Sequence, residues 1–417
     1  MQITPILEIE ESLRENFRAG VSLPVEWRKQ QLLQLARMVQ ENAPAFTEGV
    51  SKDMGKPKTE TYFAEIAPIA QHSLVSAEKL DEDWQKPWPW NYPLILSLQP
   101  LIGAIAAGCC AVLKLSEIAP HYSALLSELA PKYLGSSAFK IVLGSVPGAA
   151  ELLELQFFYN GNSRIARIIA TAAARHLTSL TLKLGDKCPV IVDLATDIAI
   201  AAKRILWGKA QNFLLSIFPD GSLASDSISL IVSPGHHSRL MDLLKRTKGE
   251  VVLGGKSQDL KIEITVVKNV SANDSLMEGL SIFAELFGPI LPIVPVDSIQ
   301  DAIDFVRERH HPLVLYAFTE IPKVKTQLLN GTFSGSLVFN DTFQQLAVNE
   351  LPLGGVGESG HGRQTLKYTF DEFSYERASI DLPKEAEPFL GIRYAPYTQE
   401  NFKIMAAPAF MQIPEKI

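Results

Sequence analysis

Short runs with the composition of β-strands alternate with helical segments through most of the chain. The first strand-like runs are at 139–143, 155–159, 180–184 and 190–192, and the helical segments among them are at 122–133 and 165–175. A second group of strand-like runs is at 227–232, 262–267, 290–295 and 313–318. This alternation is typical of parallel sheets covered by helices. It predicts two α/β units, and the helical pattern over 24–80 predicts helices before them.

The composition indicates an ordinary globular protein. Of 417 residues, 47% are hydrophobic and 20% are charged, which fits two or three domains. The net charge of -7 gives no basic surface for nucleic acid or an anionic membrane. Three cysteines are too few for a disulfide framework and fit a reducing compartment. The acidic N-terminal segment lacks the features of a signal peptide, so we expect a cytoplasmic location.

One apolar stretch, 94–113, approaches the roughly 20 residues that a membrane-spanning helix needs. Gln99, Pro100, Gly103 and Gly108 interrupt it. We therefore predict no membrane span. The expected structure is a buried helix over 94–107 followed by a buried strand over 111–113.

Seven motifs follow one another in an order that is specific as a set. They are WNYP (Trp90–Pro93), QPLIGAIAAG (Gln99–Gly108), VLKLSE (Val112–Glu117), TAAARHLT (Thr171–Thr178), WGK (Trp207–Lys209), ELFGPILPIV (Glu285–Val294) and PLGGVGESGHG (Pro352–Gly362). The chain resembles the NAD(P)-dependent aldehyde dehydrogenase superfamily, closest to its class 3-like, fatty-aldehyde branch. The resemblance implies an α/β fold with a Rossmann-type dinucleotide-binding domain after N-terminal helices (1–182), a catalytic-type α/β domain (183–340) and a C-terminal oligomerisation arm (341–417).

Two pieces of the family pattern are missing, near 87/88 and near 233–236. The first would include a strand before WNYP and a projecting oligomerisation segment. Its loss predicts a weakened homodimer. Either the fold has closed around both deletions or the reading frame omits exons.

The resemblance implies a catalytic cysteine after the WGK motif, and this chain has no cysteine there. The corresponding segment, Asn212 to Asp220, is one residue shorter than the family pattern. Counting forward from Trp207 puts Ile217 at the cysteine position, whereas counting back from Asp220 puts Ser216 there. A serine hydroxyl is a poor nucleophile without a strong base. We therefore expect this segment to be apolar and buried.

The carboxylate base implied by the resemblance is replaced by Lys183, in the segment LKLGDK. Two interpretations stay open. In one, the site has decayed and the lysine is solvated or paired. In the other, a desolvated Lys183 of lowered pKa acts as base for Ser216. Asn91 of WNYP matches the family's oxyanion donor, so the candidate catalytic residues are Asn91, Ser216 and Lys183.

The segment GNSRIA at 161–166 resembles the family's cofactor loop and keeps only its first glycine, Gly161. Glycines let the backbone approach a pyrophosphate at a helix N-terminus. Arg164 and Ala166 therefore predict impaired binding of NAD or NADP, or a protein that uses no cofactor. The resemblance implies further cofactor contacts from residues that are retained: Lys114, Ser116, Glu117 and Glu285.

Other reactive residues carry weaker signals. Cys188 is considered as a displaced thiol, but packing is the ordinary role of a lone small cysteine. Cys109 and Cys110 are expected to pack as well. The pairs at 236–237 and 310–311 are histidines without metal-ligand spacing, so no metal site is expected.

Three functions remain possible from the sequence. The first is a degenerate aldehyde dehydrogenase, by descent an NAD(P)-dependent oxidoreductase, kept as a pseudoenzyme. The second is a cofactor-independent enzyme of specialised metabolism that uses the same cleft for acyl transfer, hydrolysis or cyclisation. The third is an active dehydrogenase with an incomplete gene model. In each, the apolar Phe213, Leu214 and Phe218 suggest a small apolar aldehyde- or acyl-type ligand.

Overall fold

The computed structural model describes residues 6–80, 93–143, 157–185, 187–210, 229–277, 285–346, 351–396 and 398–410, with the single residues Leu223, Ser225 and Val348. Contacts divide the chain into two compact units, Met1–Ser374 and Tyr375–Ile417. All strands given below lie in the first unit. The boundaries of the three predicted domains are not tested by this division and stay a prediction.

Helices form the N-terminal part of the first unit. They are α1 (Ile6–Arg18), α2 (Val25–Glu41), α3 (Ala43–Met54), α4 (Lys58–Thr61) and α5 (Ala67–Lys79), with a π-helical turn at Tyr62–Ile66 before α5. Leu32, Leu35, Phe46 and Ile69 are fully buried in one core. The predicted helical region over 24–80 is confirmed.

The apolar stretch forms a buried helix and then a strand, as predicted, but the strand is half-buried instead of buried. Helix α6 (Pro93–Ala106) joins the N-terminal core through residues such as Leu98 and Ile105, and strand β1 (Ala111–Lys114) follows it. Pro100 lies inside α6. Within the described ranges, no helix combines the length and the apolar character that a membrane crossing requires.

Two parallel strand pairs follow. Helix α7 (Pro120–Tyr133) connects β1 to β2 (Phe139–Val142), which pair in parallel. Helix α8 (Ser163–His176) connects β3 (Phe157–Gly161) to β4 (Leu180–Leu184), which also pair in parallel. Parallel strands joined by a helix confirm the predicted α/β class.

The remainder of the first unit continues the alternation. Its elements are β5 (Val190–Val192), α9 (Ile198–Ala210), α10 (Pro234–Arg246), β6 (Glu250–Leu253), β7 (Ser257–Gln258), β8 (Lys261–Ile262), β9 (Thr265–Lys268), β10 (Ile290–Pro292), α11 (Ile299–Arg307), β11 (Val314–Phe318), α12 (Pro322–Gly331), β12 (Ser336–Phe339), β13 (Gly360–His361) and α13 (Lys367–Glu372). Strand β11 lies in parallel between β5 and β12, and β9 lies between β6 and β10. Strand β13 adds to β4 in antiparallel orientation, giving the order β13-β4-β3.

Two predicted strands differ from the structure. The run at 227–232 forms no strand over its described part, 229–232. There the backbone N–H of Leu230 donates to Met54 O and that of Ile231 donates to Leu260 O, so the donors serve two separate segments instead of one ladder. The run at 262–267 is divided between β8 and β9, which pair with different partners.

The second unit contains short helices. They are α14 (Glu387–Leu390) and α15 (Gln399–Ala406), and Thr398 caps α15 by accepting a hydrogen bond from Asn401 N. None of the described residues in this unit is buried.

A buried ion pair links the N-terminal helices to α6. Lys56 Nζ lies 2.9 Å from Glu65 Oε1, and the two side chains are 4% and 0% exposed. Glu65 Oε2 also accepts a hydrogen bond of 2.8 Å from Leu94 N, in the first turn of α6. The carboxylate of Glu65 therefore pairs with a lysine and also accepts a hydrogen bond at a helix N-terminus. The first N–H groups of a helix have no partner within the helix.

We predict that Glu65→Ala lowers the free energy of unfolding by about 1–3 kcal/mol, because Leu94 N loses its buried acceptor and Lys56 loses its nearer partner, although Glu60 remains 3.7 Å from Lys56. Urea denaturation followed by circular dichroism measures this. The control is Glu48→Ala, since Glu48 makes an exposed pair with Lys52 at 2.6 Å. Equal losses for both variants would contradict the structural role given to Glu65.

Candidate active site

The candidate site lies where β3 and β4 end. Their register pairs Asn160 with Lys183 and Gly161 with Leu184, so both strands end at the same edge of the sheet. Ligands of parallel α/β sheets bind at the carboxyl ends of the strands. This edge is therefore the place to test the candidate residues.

The two faces of the β3–β4 pair have different partners. Leu182 and Leu184 pack with Ala166 of α8 on one face. Because side chains alternate along a strand, Thr181 and Lys183 point to the opposite face. Thr181 donates a hydrogen bond to Glu372 at the end of α13. Lys183 therefore faces the side of the sheet on which α6 and α13 lie.

Lys183 is almost completely buried. Its side chain is 3% exposed, and Nζ makes no hydrogen bond with any residue that the structure describes. Burial lowers the pKa of Lys183 well below the usual lysine value. Nζ is thus neither solvated nor paired with a described residue, whereas the role of Lys183 as a base for Ser216 stays a prediction. The neutral amine is the form that burial favours.

The edge is completed by β13, which covers β4. Gly360 pairs with Lys183 and has φ of 120°, a conformation that favours glycine. A Cβ at Gly360 would lie 2.0 Å from Leu182 O. A side chain at Gly360 would therefore separate β13 from the strand that carries Lys183.

Asn160 brings α6 to the same face. Its Nδ2 donates to Leu96 O at 3.4 Å. Pro100 has no N–H to donate to this carbonyl within the helix. Asn160 Oδ1 is buried without a hydrogen bond to a described residue, and so is Nε2 of Gln99, which is 4% exposed. Lys183 Nζ and Asn160 Oδ1 thus have unused hydrogen-bonding capacity at one pair of strand positions, and Gln99 Nε2 has it in the helix that Asn160 bonds to.

Glu285 lies beside the end of β4. A Cβ at Gly185 would be 2.4 Å from Glu285 Oε1, so the glycine lets this carboxylate approach the backbone. Gly161, Lys183 and Glu285 therefore lie at one edge of the sheet. Residues of a single site need to be close in this way.

The turn after β3 is closely filled. A Cβ at Gly161 would lie 2.2 Å from the Tyr159 hydroxyl oxygen. Asn162 caps α8, because its Oδ1 accepts a hydrogen bond of 3.0 Å from Ile165 N. Ala166 is buried and Arg164 is exposed. One helix N–H that an anion could use is thus already bonded to Asn162.

Comparison with known proteins decides the family. The aldehyde dehydrogenase family model matches residues 88–213 and 225–378. The chain belongs to the aldehyde dehydrogenase family. It is similar to aldehyde dehydrogenase family 3 member B1 of Bos taurus, with 36% identity over 460 aligned positions that cover 96% of this chain and 97% of the relative. That alignment is longer than this chain's 417 residues, so the relative has residues without a counterpart here.

Solved structures agree on the fold. The substrate-bound state of Staphylococcus aureus AldH has a TM-score of 0.86 and 28% identity, covering 98% of this chain and 100% of that chain. The glyceraldehyde-3-phosphate dehydrogenase GapN of Methanocaldococcus jannaschii, complexed with NADP, has a TM-score of 0.75 and 19% identity, with coverage of 90% and 94%. These likenesses confirm the aldehyde dehydrogenase-like fold class.

Lys114, Ser116 and Glu117 lie in and after β1, in a sheet separate from β3 and β4 over the described residues. Lys114 Nζ is 2.8 Å from Glu117 Oε2. The hydrogen bond from Lys114 lowers the pKa of Glu117. Whether this aldehyde dehydrogenase homologue uses the three residues for a cofactor stays a prediction.

Asn91, Ser216 and Ile217 lie outside the described residues, as do Phe213, Leu214 and Phe218. Their predicted roles are therefore not tested by the geometry. The predicted deletion near 87/88 also lies outside, whereas Ser233 at the second deletion caps α10 by accepting from His236 N at 3.2 Å.

Cys109 lies on the side of the sheet that α13 covers, where its Sγ donates to Phe373 O at 3.5 Å. Cys188 packs with Val314 and Tyr316, in the sheet that contains β11. Burial raises the pKa of Cys109 to about 11 and also raises that of Cys110, which opposes thiolate formation. Among the described residues, no group of three or more histidine, cysteine, aspartate or glutamate side chains is arranged to hold a metal.

Gln99 and Asn160 are site residues that the sequence reasoning missed. Asn160 is a polar residue near the end of an apolar strand, which is a usable signal. Its relation to α6 depends on the carbonyl that Pro100 leaves without a donor. That relation required the fold.

We predict that Lys183→Met increases the free energy of unfolding at pH 7 by about 1–3 kcal/mol, the cost of a buried polar group without a partner. Since burial holds the folded-state pKa of Lys183 below that of the unfolded chain, unfolding takes up a proton at pH values between them. The advantage of the variant should therefore shrink as pH rises toward about 10.4. Thermal unfolding across this pH range measures it.

The matched control is Lys140→Met, since Lys140 is half-buried on β2, in another sheet. It should change the unfolding temperature little at any pH. A lower unfolding temperature for Lys183→Met at pH 7 would contradict the assignment, because it would show that the amine makes a stabilising contact.

Proposed function

We propose that this aldehyde dehydrogenase-family protein binds a small apolar aldehyde- or acyl-type ligand and does not catalyse thiol-dependent, NAD(P)-linked oxidation. The observation that carries the proposal is Lys183, buried and without a described partner at the position where the family resemblance implies the carboxylate base. Activation of water in that reaction needs the base, and the acyl intermediate needs a thiol.

The thiols support this proposal. The segment from Asn212 to Asp220 contains no cysteine. Cys188, the considered replacement, packs in the apolar cluster with Val314 and Tyr316. A displaced nucleophile would have to reach the edge where Lys183 lies.

The cofactor loop supports it as well. NAD or NADP is the cofactor that the family implies, and a dinucleotide needs an open glycine turn and free N–H groups at the start of α8. Here the Tyr159 hydroxyl packs against Gly161 and Asn162 occupies one N–H. This loop does not fit the group as relatives would hold it, so we propose impaired binding and assign no step to it.

The setting follows from the same reasoning. We propose a cytoplasmic protein, since three free cysteines without a disulfide framework fit a reducing compartment. A homodimer weakened by loss of the projecting segment is our proposal for the assembly. Nucleic acid is not a proposed partner, because the net charge is -7.

We predict that the purified chain neither binds NAD⁺ or NADP⁺ measurably nor forms NAD(P)H from straight-chain aldehydes. Calorimetric titration measures binding and absorbance measures turnover, with mouse aldehyde dehydrogenase family 3 member A2 as the positive control. That relative is 34% identical over 447 positions. Micromolar binding together with aldehyde-dependent NAD(P)H formation would contradict the proposal.

A second function is favoured by the lowered pKa of Lys183. A neutral lysine can act as a general base, and Ser216 is the candidate nucleophile of a cofactor-independent acyl transfer or hydrolysis. We predict for this alternative that p-nitrophenyl butyrate is hydrolysed and that Ser216→Ala and Lys183→Met each abolish turnover. Lys140→Met should leave turnover unchanged. Absence of hydrolysis by the unmodified protein would eliminate this alternative.

A further inference from the structure

The unused polar groups around Lys183 point to covalent chemistry of the amine itself. Nζ is held at the carboxyl edge of β4, away from solvent, and no described carboxylate is bonded to it. The nearest strand position, Asn160, presents an amide oxygen without a partner. This arrangement differs from a structural lysine, which would extend to water or to an acidic residue.

The geometry suits a carbonyl compound. An amine attacks a carbonyl carbon, and the oxygen that develops needs donors while the nitrogen that loses protons needs an acceptor. Gln99 Nε2 is a donor and Asn160 Oδ1 is an acceptor, and both lack a described partner. A buried amide pair of this kind costs stability unless a ligand satisfies it.

We propose that Lys183 captures an aldehyde reversibly as an imine, with the amide oxygen of Asn160 accepting from the nitrogen of the intermediate. The Nζ lone pair forms the C–N bond, and the carbonyl π electrons move to oxygen to give a carbinolamine. The two amine hydrogens then leave with that oxygen as water, and a C=N bond remains. No oxidant, reductant or cofactor is needed. The inference rests on the proposed function only in the class of ligand.

The positions of the neighbouring charges are consistent with this chemistry. Glu285 approaches Gly185, two residues after Lys183, and His361 pairs with Leu182 across β13 and β4. Neither forms an ion pair with Lys183 in the structure. Lys183, which has no part in the redox reaction of the family, would thus be available as a nucleophile when its amine is neutral.

The test is reductive trapping. The full chain is incubated at pH 7 with decanal and sodium cyanoborohydride, and the modified lysine is located by peptide mass spectrometry. We expect saturable labelling of Lys183 in preference to the other lysines. Lys183→Met should abolish this saturable labelling, and Lys140→Met should leave it unchanged. Uniform labelling that is the same in Lys183→Met would overturn the inference.

A second variant keeps the lysine in place. Asn160→Asp puts a carboxylate on the strand position paired with Lys183, about 5 Å away between backbones. An opposite charge at such a distance raises a lysine pKa, so the midpoint of the pH dependence of labelling should move upward by about one unit or more. An unchanged pH profile would contradict the placement of the amine beside Asn160.

One measurement separates this inference from the proposed function. Calorimetry with decanol, which cannot form an imine, reports on ligand binding alone. Decanol binding without trapping at Lys183 would overturn the imine and leave the proposed function standing. Formation of NAD(P)H from decanal would overturn the proposed function, while the trapping result would still decide the imine.

Discussion

The parallel register of β3 and β4 is the constraint on which the site depends. It sets Asn160 beside Lys183 and Gly161 beside Leu184. Because side chains alternate, the same register sends Leu182 and Leu184 to α8 and turns Lys183 to the face that α6 approaches. A shift of one residue would exchange the two faces and put the leucines in the polar position. The apolar contacts of α8 thus fix the location of the amine.

The apolar patterns of the sequence were enough to predict most elements. The run at 180–184 has the same bounds as β4, and the buried helix after residue 93 follows from its composition. These predictions succeed because burial dictates periodicity. The run at 227–232 was predicted wrongly as a strand over its described part, because periodicity cannot show that Leu230 and Ile231 bond to different segments.

The site could be predicted only in part. The replacement at Lys183 follows from the family motif, whereas its burial without a described partner requires the fold. Leu96 and Asn160 are 64 residues apart in numbering and are related through one backbone carbonyl. Leu96 O accepts from Asn160 Nδ2, and Pro100 is the residue that cannot donate to it. A proline in a helix predicts a backbone carbonyl without its helical hydrogen bond, but the sequence does not identify the side chain that will donate to that carbonyl.

The cost of burying Lys183 and its chemical use have one physical cause. Desolvation disfavours the charged amine in the folded protein. This lowers the stability of the fold at neutral pH, and it also leaves a lone pair on Nζ. A methionine would fill the same space without that cost and without reactivity. A carboxylate at position 160 would favour the charged amine over the neutral one. Variants that keep Lys183 and change only its surroundings should therefore alter stability and carbonyl reactivity in opposite directions. A lysine with a purely structural role would show no such inverse relation.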